Sequence, residues 1–177
     1  LVRSFLDLSD TQASINARLG MMNDGMQSVN ELNEMIYQSA LRSRAAYDST
    51  ADAVAKMGLN AGNAFSSNQE LVAFMEAVNK QFAIGGAGAA QMEGGMVQLT
   101  QAMSSGALRG EELNSILDAA PGIARNIEQY MGWATGSIKK YAEEGLITAE
   151  VVKYAMLDSA EAINQQFESM PMTLSQA

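Results

Sequence analysis

With 177 residues and 47% hydrophobic content the chain can bury a core of its own, and five Phe, five Tyr and one Trp beside 28 Ala and 13 Met make that core an aliphatic one. Eleven basic against 20 acidic residues leave a net charge of −9, a repulsive average field for any polyanion, and the doublets Arg42/Arg44 and Lys139/Lys140 are too small a footprint to neutralise phosphates. Cysteine and histidine are both absent, which excludes disulfides, thiolate or imidazole zinc sites, and Ser-His or Cys-His nucleophilic machinery.

The chain opens on LVRSFLDLSD, with neither an initiator methionine nor a signal-peptide pattern, as expected of a piece of a longer polypeptide. Apolar positions then recur at steps of three and four, without sustained strand alternation, so helices are expected nearly throughout. The first clear unit starts at a capping box, Ser28 with Glu31, and can run to Gly58 as a C-cap. Its seam is Val29, Leu32, Ile36, Ala40, Ser43, Tyr47, Thr50, Val54 and Met57. One continuous helix over 28–58 would extend roughly 43 Å. Small or polar residues at Ala40, Ser43 and Thr50 thin the seam, so either a partner backbone comes close there or the helix breaks.

A second capping box, Ser67 with Glu70, opens a helix whose inward face is Leu71, Phe74, Met75, Val78 and Phe82, with Glu76 and Lys80 as an exposed pair; Gly85 and Gly86 end it. The next stripe, Ala89, Met92, Met96, Leu99 and Met103, closes at Gly106. The longest uncharged run, 94–108, is interrupted by Gln98, Thr100, Gln101, Ser104 and Ser105 and is too polar to cross a bilayer. Shorter helices follow, with Leu113, Ile116 and Leu117 inward, then Pro121 at a helix start with Ile123, Ile127 and Tyr130. Gly132 and Gly145 punctuate them. Thr148 caps a last helix with Val152, Ala155, Met156, Ile163 and Phe167 inward, until Pro171; the ending SMPMTLSQA reads as a lead into further chain.

Four features invite a functional reading. The run FAIGGAGAAQMEGGM (82–96) holds G-x-G at Gly86 and Gly88, but Gln91 stands where a dinucleotide fingerprint needs its third small residue, and the segment follows a helix rather than a strand. Gly85, Gly86, Gly88, Gly94 and Gly95 are therefore expected to serve close helix packing or a hinge. The stretch 108–132 resembles a helix-turn-helix in outline, yet Arg109 to Glu150 carries four basic residues against seven acidic ones, the wrong balance for DNA. The pairs Glu111-Glu112 and Glu143-Glu144 suggest glycosidase carboxylates, though neighbours on a helix diverge by about 100°, and glutamates in a first turn simply complement the helix dipole. Met92, Met96 and Met103 are either ordinary core or an adaptable, partner-facing surface for a helix.

Longer words carry a resemblance. MMNDG (21–25), IYQSALRSRAAYDSTADAVAKMG (36–58), AFSSNQELVAFMEAVNKQFAIGGAGAAQ (64–91), QLTQAMSSGALRGEELNSILDAAPGIARNIEQYMG (98–132), EEGLITAEVVKYAM (143–156) and FESMPMTLSQA (167–177) resemble the N-terminal region of phage tail tape measure proteins over essentially the whole chain. The resemblance implies a helical virion protein of a phage or prophage, lying in the tail tube interior after synthesis in the host cytoplasm. It implies roles in tail assembly, tail-length determination and genome delivery. The implied partners are the tail tube protein, tail tip or baseplate components and tail assembly chaperones, with self-association. No catalytic residue, cofactor, metal, specific nucleic acid or membrane segment is implied here. The extended helical stretches of such rulers are absent, so residues 1–177 are expected to be one folded, all-α interaction domain of about six to eight helices, one or two of them long. The alternatives are a cell-wall-degrading domain resting on glutamates and a helical adaptor for a tail-assembly chaperone.

Overall fold

The computed structural model describes residues 2–172, which form ten α-helices and one 3-10 turn and, among the described residues, no β-strand. The helices are α1 (Val2–Met22), α2 (Val29–Arg42), α3 (Tyr47–Ala61), α4 (Asn68–Ile84), α5 (Ala89–Ser105), α6 (Gly110–Ala119), α7 (Pro121–Met131), α8 (Ile138–Glu143), α9 (Ala149–Asp158) and α10 (Ala160–Glu168). The all-α expectation holds and the helix number exceeds the six to eight expected. Two long units are each split, and the helix of residues 2–22, whose Ile15 and Leu19 are buried at a four-residue step, adds one more. The last five residues of SMPMTLSQA lie outside the described residues.

The first split corrects the continuous helix over 28–58. The Ser28/Glu31 box forms, with the Glu31 N–H donating to Ser28 Oγ at 3.2 Å and the Ser28 N–H donating to Glu31 Oε2 at 2.8 Å. Thirteen residues on, α2 stops in a Schellman turn: the Ala45 N–H donates to the Ala40 carbonyl at 2.9 Å and the Arg44 N–H to the Leu41 carbonyl at 3.2 Å. Arg44 occupies the left-handed position at φ 52°, where glycine is the usual occupant. The Arg44 guanidinium is anchored by donating to the Met170 carbonyl at 3.0 Å and lies 4.6 Å from the Phe167 ring centroid, so α10 holds this turn in place. The seam survives the break, with Leu32, Ile36, Ala40, Ser43, Thr50, Val54 and Met57 all buried. Gly58, read as a C-cap, instead lies inside α3 against the Met22 side chain, whose Cε would sit 2.7 Å from an added Cβ.

The MMNDG word is a capping loop. Asp24 Oδ2 accepts the Asn68 N–H at 2.9 Å and Oδ1 the Met26 N–H at 2.9 Å, which places a carboxylate at the N-terminus of α4. These two N–H donors hold the Asp24 carboxyl below the usual carboxylate range. Ser67 Oγ caps α4 by accepting the Glu70 N–H at 3.1 Å, but the Glu70 carboxylate turns to Ser66, accepting its N–H at 3.0 Å, and to the Lys153 ammonium at 3.0 Å. The second box is therefore half formed, and its glutamate ties α4 to α9 instead.

Helix α4 is the centre of the molecule, packing against α2, α3, α7, α9 and α10. Leu71, Phe74, Met75, Val78 and Phe82 are buried as the periodicity requires, and so are Asn79, Lys80 and Gln81. Gln69 and Ala73 still face solvent, but from Ala77 to Phe82 the helix is enclosed on all sides, so the polar residues there turn to its neighbours. Gln81 Nε2 donates to Asn126 Oδ1 of α7 at 2.7 Å, and Lys80 donates to Asn164 Oδ1 of α10 at 2.7 Å and to Glu76 at 3.3 Å. Glu76 and Lys80 do pair, but Lys80 is 4% exposed rather than on a solvent face.

The remainder closes around α4. Leu113, Ile116, Ile123 and Ile127 are buried, whereas Tyr130 is 42% exposed, against its inward assignment. Glu128 is buried and accepts the N–H groups of Gly136 at 2.8 Å and Ile138 at 3.1 Å, fixing the loop before α8. One antiparallel bridge, with the Leu108 N–H donating to the Ile147 carbonyl and the Ala149 N–H to the Gly106 carbonyl, both at 2.8 Å, ties the α5–α6 loop to the α8–α9 loop. Thr148 Oγ1 caps α9 by accepting the Val151 N–H at 3.2 Å. The helix expected to run on to Pro171 is split at Ser159 into α9 and α10, with Val152, Ala155, Met156, Ile163 and Phe167 all buried.

Candidate functional site

The glycine run joins α4 to α5, whose opposite face walls a trough. At the end of α4, Gly86 takes φ 72° in a Schellman turn, its N–H donating to the Ala83 carbonyl at 3.1 Å and that of Ala87 to the Phe82 carbonyl at 3.1 Å. Gly88 opens α5 as N-cap, its N–H donating to Gln91 Oε1 at 3.1 Å. The five glycines then divide by what surrounds them. A Cβ on Gly85 would meet the Ala119 carbonyl oxygen at 2.6 Å, and one on Gly95 would meet Phe82 Cε1 at 2.7 Å and Ala119 Cβ at 3.3 Å. Nothing lies within 4 Å of a Cβ placed on Gly86, Gly88 or Gly94. Gly85 and Gly95 thus sit where α4, α5 and the end of α6 approach one another, Gly86 and Gly88 serve the turn, and Gly94 faces open space.

On the other face of α5 lies a trough of about 860 Å³, walled by α3 and α5. From α3 and the turn before it come Ala45, Ser49, Ala53, Lys56 and Asn60, a strip at steps of three and four. The strip on α5 includes Ala89, Met92, Met96, Thr100 and Ser104, at the same steps. The floor comes from α4, where Phe82 and Asn79, one turn apart, reach the trough from beneath. Met92 and Met96 are half-buried along its wall, and Val97 at the rim is 44% exposed. Met103 departs from the partner-facing assignment: it is 3% exposed and belongs to the core, since at its position on α5 the helix turns it away from the trough lining.

The trough's electrostatics are uneven. Asp52 at the α3 wall contacts Arg18 of α1 at 2.6 Å and Lys56 at 2.7 Å. Burial alone would raise the Asp52 carboxyl, but hydrogen bonds and charge from Lys56 and Arg18 outweigh it and hold it below the usual carboxylate range. Across the trough, Glu93 is the single charged residue of α5 and makes no hydrogen bond or ion pair among the described residues. Asn79 is 7% exposed, and its amide makes no hydrogen bond among the described residues either.

The glutamates weighed as catalytic carboxylates lie elsewhere. Glu111, Glu143 and Glu144 are exposed and Glu112 half-exposed, and none of the four lines the trough. No helix among the described residues is long and apolar enough to cross a membrane.

From the sequence, the α5 wall was legible through its methionine stripe. The α3 wall was not, because its strip of small residues runs beside the stronger seam of Val54 and Met57. Asn79 was hidden for a different reason: a polar residue within the Asn-Lys-Gln triplet reads as solvent-facing until α4 proves to be enclosed.

Comparison with family models matches residues 3–177 to the model described as Tape measure protein. No curated protein and no solved structure matches the chain.

Proposed function

The chain belongs to the tape measure protein family of phage tail structural proteins, and we propose that it serves there as a folded, non-catalytic interaction unit rather than as a length of the ruler. In this reading it contributes to tail assembly, to tail-length determination and to genome delivery by docking, within the tail tube, against the tube protein, the tail tip or baseplate, or an assembly chaperone made alongside it in the host cytoplasm. Self-association belongs to the same reading. The observation that carries it is the family match over residues 3–177, joined to a fold in which the helices turn back on one another around α4 instead of running end to end.

The test is an in-frame deletion of these 177 residues from a full-length tape measure gene, with tails imaged by electron microscopy. A rod of this length would add about 27 nm to the ruler at 1.5 Å per residue. A docking unit adds little length, so its removal gives failed or unstable tails, or particles defective in delivery, at nearly unchanged length. Tails that assemble normally and are uniformly shorter by the full rod length would refute the proposal.

A further inference from the structure

We propose that the trough between α3 and α5 seats one amphipathic helix of a partner protein, whose inward face is apolar, carries an amide or hydroxyl side chain opposite Asn79, and brings a lysine or arginine to Glu93. The inference deepens the interaction-unit reading and rests on it for the existence of a partner, while its own test needs no phage.

Shape is the first argument. The α3 strip spans positions 45 to 60 and the α5 strip 89 to 105, each at the three- and four-residue steps of a helix seam. Two helix faces of that length, about 24 Å at 1.5 Å per residue, flank a cleft as long as a helix of four to five turns. Small residues at Ala45, Ser49, Ala53 and Ala89 admit a close backbone, and the thioethers of Met92 and Met96 adapt to the partner's side chains.

Asn79 is the second. Asn79 makes no side-chain hydrogen bond among the described residues, whereas its neighbours Lys80 and Gln81 both donate, and its amide meets water through the trough, water that an occupant would displace. Asn79 differs from them in facing the trough, so its complement belongs to whatever fills that space. Charge is the third argument. Asp52 is already engaged by Arg18 and Lys56, whereas Glu93 is exposed and, among the described residues, unpaired on the α5 wall, where a partner's cation can reach it. A second copy of this chain fits poorly, since it brings another net charge of −9 towards the same carboxylate.

The probe is a fluorescein-labelled synthetic helix of 18 residues, with leucine and alanine along one seam, a glutamine at the seam's centre and lysines flanking it, titrated by fluorescence anisotropy. Saturable binding is expected, weakened about tenfold when the central glutamine becomes leucine, because Asn79 is then sealed in unpaired. Asn79→Leu is expected to reverse that preference. A probe with glutamate for lysine binds more weakly to the wild type and is restored by Glu93→Lys, and Val97→Arg at the exposed rim abolishes binding of every probe. Should Asn79→Leu fail to fold by circular dichroism, the Glu93 charge exchange and Val97→Arg carry the test. Absence of saturable binding, affinities indifferent to both exchanges, or a wild-type dimer in light scattering that Val97→Arg dissociates would each overturn the proposal. None of these outcomes bears on tail length or assembly, so this proposal and the interaction-unit reading fail separately.

Discussion

Alanine substitution at three glycines within eleven residues should give different outcomes, because their surroundings differ. At Gly94, inside α5, nothing lies within 4 Å of the added methyl group. The change removes backbone freedom from the unfolded chain and improves helix propensity, a gain of about 0.5–1 kcal/mol. Gly95, the next residue, receives the same gain, but its Cβ would lie 2.7 Å from Phe82 Cε1, 2.9 Å from Cζ and 3.3 Å from Ala119 Cβ. The Phe82 ring is 0% exposed and must shift against its packed neighbours. Overpacking of that kind costs about 1–3 kcal/mol, leaving Gly95→Ala destabilised by about 1 kcal/mol net. Gly85→Ala meets the Ala119 carbonyl oxygen at 2.6 Å, a backbone atom that no rotamer change can move, at a C-cap position with little propensity to regain. Its cost is about 1–3 kcal/mol with no offset. In a chain of this size 1 kcal/mol shifts Tm by about 2–4 °C, so thermal melts followed by far-ultraviolet circular dichroism resolve all three. The expected order is Gly94→Ala above wild type, then Gly95→Ala, then Gly85→Ala. If Gly95→Ala raises Tm as Gly94→Ala does, α5 does not rest on Phe82 as described and the packing role of these glycines is wrong.

Three further outcomes follow from the polar contacts and from the functional reading. The Asp24 carboxyl is lowered by the Asn68 and Met26 N–H groups, so its stabilisation is complete above the unfolded value of about 3.9 and is lost as pH falls through the lower folded value. Asp24→Asn should therefore lower the urea midpoint at pH 7, with the gap to wild type closing in acid; an equal gap at every pH contradicts the capping role. Lys153→Met strips Glu70 of its ammonium partner while Ser66 still donates to it, and with the Glu70 side chain 20% exposed the loss should be about 1–2 kcal/mol rather than the 3–5 of a fully buried pair. A denaturation curve superimposable on wild type would show that the α4–α9 tie contributes nothing. Purified cell walls incubated with the protein should keep their turbidity, and a clearance abolished by Glu111→Gln or Glu143→Gln would establish the glutamate-based enzyme instead.

Local chemistry was the legible part of this fold. Ser28 with Glu31, Thr148, Pro121, Gly86 and Gly106 mark helix ends by short-range hydrogen bonds or fixed dihedrals, and these the sequence states directly. Arg44 shows the limit, since a left-handed arginine is held by Met170 and Phe167, more than 120 residues away, and no local rule anticipates it. Glu70 shows it again: its motif promised a reciprocal cap, and a lysine on α9 redirected the carboxylate. For the candidate site, Met92 and Met96 were visible as a stripe, but whether that stripe faces core or solvent depends on which helix lies against it. Met103 went to the core and its two neighbours to the trough. Burial of Asn79, Lys80 and Gln81 depends on how many helices surround α4, a property of the assembled bundle.

The claim that these residues form a docking unit and not a stretch of ruler meets its most direct test in small-angle X-ray scattering from the isolated chain, extrapolated to zero concentration. A folded unit of 177 residues has a radius of gyration of about 16 Å. An end-to-end helical rod of the same chain is about 265 Å long and gives roughly 77 Å. A value near the first figure is what the account predicts; one approaching the second, with an elongated distance distribution, contradicts it.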